Sequence, residues 1–210
     1  DEVFVLAGRS WRVVSIDEER KNIYVSQTKS SKIPSWTGTG GDIHTKVVRR
    51  MKQVLQESVV YPYLQPNAAN LLAQARMFAM ETGILESDIL QCGEKSFFIA
   101  PWVGTKEIRT IAKLLSCGLK NQLDIYSVAS SWYYLQITTG LSPEEFIEKF
   151  KELNIPLNDP DVILPKDQTP KVDKYDPMVP ESLLRSAFLH NQMKLNDAIL
   201  TLNNLSIESR

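Results

Sequence analysis

VFVLAGRSWRVVSIDEERKNIYVSQ, residues 3–27, is the stretch from which the fold is read. Its β-branched and aromatic residues fall into runs at 3–7, 11–16 and 22–27, separated by Gly8-Arg9-Ser10 and by Asp17-Glu18-Glu19-Arg20-Lys21. Apolar runs broken by short polar clusters predict three strands of an antiparallel meander. A loop over 30–41 follows, with Pro34, Trp36 and three glycines, and then the period changes. Ile43, Val47, Val48, Met51, Val54 and Leu55 line one stripe of an amphipathic helix whose expected cap is Asp42. Lys46, Arg49, Arg50 and Gln53 lie off that stripe.

Downstream, Pro66-Asn67 opens a second helix with Leu71, Leu72, Ala75, Phe78 and Ala79 as its apolar residues and Gly83 as its stop. Residues 96–102 read as a strand entering a turn, 105–115 as a helix, and 124–129 and 132–137 as a strand pair. Ser142-Pro143-Glu144-Glu145 caps another helix, with proline in its first turn. Prolines and aspartates crowd 154–175, which predicts an extended, partly mobile linker, and 180–188 with 193–205 predict a helical hairpin. The expected class is α+β: a small antiparallel meander or barrel-like sheet packed with several helices. The expected organisation is a mixed β/α domain over 1–153, a linker over 154–178 and a C-terminal hairpin over 179–210.

The composition fits a folded chain. Of 210 residues 43% are hydrophobic and 23% charged, which excludes a disordered or collagen-like protein. No apolar run reaches about 18 residues, so no membrane-spanning helix is expected. The chain runs from Asp1-Glu2 directly into apolar residues, with neither an initiator Met nor a signal segment, and is expected to be a piece of something longer. Cys92 and Cys117 are too few for a disulfide framework and read as buried thiols of a reducing, cytoplasmic compartment. A formal net charge of −1 gives no global attraction to nucleic acid, so such a partner needs a local patch. Between 29 and 52 six bases face one acid, a local +5; between 144 and 181 ten acids face five bases, a local −5.

No catalytic constellation emerges. His44 and His190 lack partners at ligand spacing and read as solvent-contacting side chains. Gly104-Thr105-Lys106 resembles part of a phosphate-binding loop, but Ile99 and Thr105 occupy the positions that need glycine and lysine. Gly38-Thr39-Gly40-Gly41 lacks the third dinucleotide glycine; it either seats one phosphate at the start of the next helix, against the charge of Asp42, or merely connects. Trp36, with Lys32, Lys46, Arg49 and Arg50 nearby in sequence, has the composition of a single-strand binding site, in which bases stack on an indole and cations follow phosphates. The plainer alternative makes Trp36 a loop anchor. Trp102, with Lys106 and Arg109, forms a second candidate cluster, whereas Trp11 and Trp132 read as core.

Phe4 to Asp17, Ile23-Tyr24-Val25 and Ile33-Pro34-Ser35-Trp36-Thr37-Gly38 resemble the start of the C-terminal accessory region of Lhr-type (long helicase-related) superfamily 2 helicases of the DEAD/DEAH-box class. Ala100-Pro101-Trp102-Val103-Gly104-Thr105, Lys174-Tyr175-Asp176, Val179-Pro180 and Leu183-Leu184-Arg185 resemble later stretches of the same tails. The resemblance implies a non-catalytic domain that follows a winged helix. ATP and Mg belong to motor domains absent from this sequence, and Trp36 stands where the family stacks an aromatic ring on the tracking strand. The implied partners are single-stranded DNA or RNA and the helicase's own motor and winged-helix domains. The alternative is a structural module that packs on the helicase core without touching nucleic acid.

Overall fold

The computed structural model describes residues 3–6, 9–29, 41–153, 155, 160–171 and 175–207. The chain divides into two compact units, Asp1–Gly41 and Asp42–Arg210. This division does not coincide with the boundaries expected at 153/154 and 178/179.

The first unit is the expected meander. Strands β1 (Val3–Leu6), β2 (Arg9–Asp17) and β3 (Asn22–Gln27) pair antiparallel in the order β1-β2-β3. The register sets Phe4 opposite Trp11 and Trp11 opposite Gln27, and slips by a bulge between Val13 and Ser15. Asp17 closes the β2–β3 turn by accepting the Arg20 amide at 3.0 Å, and Lys21 takes the left-handed conformation at φ 54. Trp11, expected in a core, is half-buried here.

The second unit contains α1 (Thr45–Gln56), α2 (Pro66–Thr82), β4 (Ile89–Gly93), β5 (Ser96–Ile99) and α3 (Thr105–Lys113), which ends in a π-helical turn over Leu114–Gly118. Then come β6 (Ile125–Ser130), β7 (Leu135–Thr139), α4 (Pro143–Lys151), α5 (Glu181–Gln192) and α6 (Leu195–Asn203). The antiparallel sheet runs β4-β5-β7-β6. Both sheets are open, so the class is α+β without the barrel-like closure.

Strand alternation sends Phe97, Ile99, Leu135 and Ile137 to one face, where all are at most 1% exposed. Ile108, Ile111 and Leu115 close over them from the α3 side, and Phe146 of α4 stacks on Phe97 with ring centroids 4.2 Å apart. The same core holds Met193, Ala198, Ile199 and Leu202, so the C-terminal hairpin is integral to this unit rather than a separate module. Within the span expected to be a linker, the described residues Ile155, Ile163 and Leu164 are buried, and Arg185 donates to Asp161 and to the carbonyls of Leu164 and Pro165. Asp88 and Ser206 exchange two bonds, backbone amide to carbonyl at 2.8 Å and amide to carboxylate at 3.0 Å.

Helix ends follow the sequence where local chemistry decides them. Gly83 ends α2 at φ 71, and Ser142 with Glu145 forms the reciprocal capping box of α4. Asp42 is not the cap of α1. His44 takes that place, its Nδ1 accepting the Lys46 amide at 3.1 Å, because Asp42 is drawn to Arg109 at 2.9 Å.

Residues 43–45 are laced to the start of α3. Ile43 and Thr105 exchange two bonds, each 3.0 Å, and the Gly104 amide donates to Thr45 Oγ1 at 3.0 Å. The Glu107 carboxylate, 5% exposed, accepts from Thr45 at 2.6 Å and from Thr201 of α6 at 3.2 Å. A Cβ on Gly104 would lie 2.4 Å from the Ile43 carbonyl oxygen, which is backbone and has nowhere to go. Gly104→Ala is therefore expected to lower stability by about 1–3 kcal/mol in thermal or urea denaturation. Gly93→Ala, whose Cβ meets only Ser96 at 3.4 Å, should leave the midpoint nearly unchanged.

Candidate functional site

Helix α1, TKVVRRMKQVLQ, carries four bases and no acid. Burial of Val48, with Met51 and Leu55 packed around it, fixes its rotation and turns Lys46, Arg49, Arg50 and Gln53 to solvent. Lys52 leans inward instead, pairing with Asp88 at 3.3 Å. Among the described residues neither Lys46 nor Arg49 is ion-paired; Lys46 is exposed on the helix, whereas Arg49 lines a cavity that it shares with the carboxylates of Asp88, Glu107 and Asp197.

Arg50 leads from this face to an aromatic loop that the sequence reading did not single out. Its guanidinium meets both oxygens of Glu57, at 2.5 and 3.2 Å, and also donates to Tyr61 Oη at 3.2 Å. Tyr61 in turn donates to Glu57 at 2.6 Å. From α2, Arg76 donates to the carbonyls of Val54 and Val59, both at 3.0 Å, and lies over the Tyr61 ring at 5.9 Å. The loop between α1 and α2 is thus fastened at its start and in its middle. Beside Tyr61, at 5.6 Å between centroids, stands Tyr63, which is 77% exposed. Lys46 and Arg50 share a helix face at i and i+4, and Arg50 in turn meets Tyr61, which neighbours Tyr63. The only signal for Tyr63 in the sequence was an aromatic between prolines, Pro62 and Pro66.

The clasp shifts the groups that make it. Hydrogen bonds from Arg50 and then Tyr61 hold the Glu57 carboxyl below its ordinary range, and the bond to Glu57 raises both Tyr61 and Arg50.

The second candidate cluster is corrected. Trp102 is 4% exposed, packed with Val48 and Ala100, and Lys52 lies 5.3 Å from its ring. No face of it is open to a base. Among the described residues its buried indole N–H has no acceptor, and its φ is 54, so packing outweighs an unpaired donor and a strained backbone. Lys106 and Arg109 are turned to Asp42, and Arg109 also donates to Gln192 Oε1 at 2.7 Å. Trp132, expected in a strand core, is 41% exposed in the loop before β7, against Tyr133 at 4.2 Å. Cys92 is exposed and Cys117 half-buried, so neither is the sealed thiol expected. Lys32 and Trp36, like the glycine loop at 38–40, lie outside the described residues. Among the described residues no group of three or more His, Cys, Asp or Glu could hold a metal ion, and no helix is long and apolar enough to cross a membrane.

A depressed carboxyl contributes stability in full above its unfolded pKa of roughly 4.3 and loses it as pH falls through the lower folded value. A raised phenol does the reverse, contributing below its unfolded pKa of about 10 and losing that as pH rises through the higher folded value. Glu57→Gln should therefore make Tyr61 ionise earlier in an ultraviolet phenolate titration, leaving Tyr133, raised by burial, as the late component. An unchanged titration curve would show that the clasp does not form in solution. No family model, curated protein or solved structure matches this chain.

Proposed function

We propose that this chain is a non-catalytic accessory module of a DEAD/DEAH-box helicase of the Lhr type, which grips single-stranded nucleic acid while motor domains elsewhere supply force. One observation carries the reading: the acid-free face of α1, with Lys46 and Arg49 unpaired by carboxylates, runs through Arg50 and Tyr61 to the exposed ring of Tyr63. Lys46 and Arg50, one turn apart on α1, attract neighbouring phosphates, and the exposed ring of Tyr63 beside Tyr61 offers a base a surface to stack on. The grip is modest by construction. Glu57 neutralises Arg50, so few phosphates are engaged, as suits a contact that must release at each step.

The resemblance in the sequence supports the same reading and adds Trp36 as a stacking residue. It also supports a cytoplasmic setting, with ATP and Mg bound by the motor domains rather than here. The rival reading, a packing module indifferent to nucleic acid, draws on the apolar flank of α2, where Leu71, Met77, Phe78 and Met80 are each more than half exposed.

Titration of the chain with a labelled oligothymidylate separates the two. Binding should weaken with salt, Lys46→Ala and Arg49→Ala should each flatten the salt dependence by about one phosphate's worth, and Tyr63→Ala should cost about tenfold in affinity at fixed salt. Absence of binding at low salt would favour the packing module. In the whole helicase, Trp36→Ala should impair unwinding more than DNA-dependent ATP hydrolysis; equal losses in both would remove the stacking role.

A further inference from the structure

A cleft of about 860 Å³ opens in the second unit between the C-terminal end of α2, strand β4 at the sheet edge and the first turns of α4. Its walls are apolar: Phe78, Ile84, Leu90, Phe98 and Ile147 all face it. Phe78 is 64% exposed, and Leu71, 65% exposed, continues the same strip along α2 at i and i+7, with Ala75 between them. An exposed apolar strip on α2 that runs into an open cleft beside a well-packed core has the form of a surface that receives a protein segment. It is distinct from the basic face of α1: none of Lys46, Arg49, Arg50 or Tyr63 lines it.

The charges at the cleft say what docks there. Glu81 and Glu144 are its charged residues; both are exposed, and neither is ion-paired among the described residues. Among the described residues no lysine, arginine or histidine lines it. Two unpaired carboxylates repel phosphate, which disfavours both nucleic acid and an anionic membrane surface, and they attract cations. The apolar walls supply affinity and the carboxylates supply selection. From this we infer that the cleft receives an apolar protein segment bearing lysine or arginine, contributed by a partner protein. This inference does not depend on the nucleic-acid reading.

Cys92 lines the cleft and is exposed, whereas Cys117 is elsewhere in the same unit, so the two thiols report occupancy and its control. The probes are a synthetic amphipathic helix of Leu and Lys and its counterpart of Leu and Glu, tested on the full chain by mass-spectrometric alkylation rates. The Leu/Lys peptide should slow alkylation of Cys92 several-fold and leave Cys117 unaffected, while the Leu/Glu peptide should protect neither. Phe78→Asp, at an exposed position, should abolish the protection. The double variant Glu81→Lys with Glu144→Lys should shift protection to the Leu/Glu peptide. Equal protection by both peptides, slowing of both thiols together, survival of protection in Phe78→Asp, or no protection at all would each overturn the proposal.

Discussion

The carboxylate of Glu107 is the tie on which the second unit's arrangement rests. It is nearly sealed from water and takes hydroxyl donors from Thr45 and Thr201, so one side chain joins the start of α1, the first turn of α3 and the body of α6. Placed in the first turn of α3, it also meets the positive end of that helix. A buried charge without such partners would be costly; with them it fixes one geometry. Gly104 is part of the same bargain, since only a residue without a side chain allows the backbone of 43–45 to lie against the start of α3.

That tie decides what α1 shows to solvent. With Thr45 pinned and Val48 packed against Ala100 and Trp102, the rotation of the helix is fixed: Lys46 and Arg50 are left on its exposed side and Lys52 is turned to Asp88. A small second cluster around Trp102 thereby sets the orientation of a surface to which Trp102 itself is not exposed. Packing and presentation are separate jobs here, done by aromatic residues of different exposure: Trp102 inside, Tyr63 outside.

The sequence could be read where a residue acts on its immediate neighbours. The three-strand meander, Gly83 as a helix stop and the Ser142–Glu145 box depend on contacts within a few positions, and each was legible. Asp42 failed as a cap because its charge is claimed by Arg109, 67 positions away, and no local rule sees that far. Strand β4, ILQCG, lacks alternation and contains a bulge, so nothing in its pattern announces a strand until β5 pairs with it. The residues after 154 look like a linker by composition, yet Ile163 and Leu164 are buried and the carbonyls around them are taken by Arg185. In the candidate site the bases of α1 were visible as off-stripe residues. Tyr63 was not, because its value comes from exposure and from a neighbour, Tyr61, held in place by Glu57 and Arg50.

The bond between Thr201 and Glu107 joins positions 94 apart, and the core strands gain their cover of Ile199 and Leu202 from the same helix. A chain made from its N-terminal end therefore carries β4 to α4 through synthesis with part of their apolar face bare, until α6 leaves the ribosome and returns to them. Closing so large a loop is slow beside forming any single helix. The interval before it is when this unit is most open to chaperone capture or to sticking to its own copies.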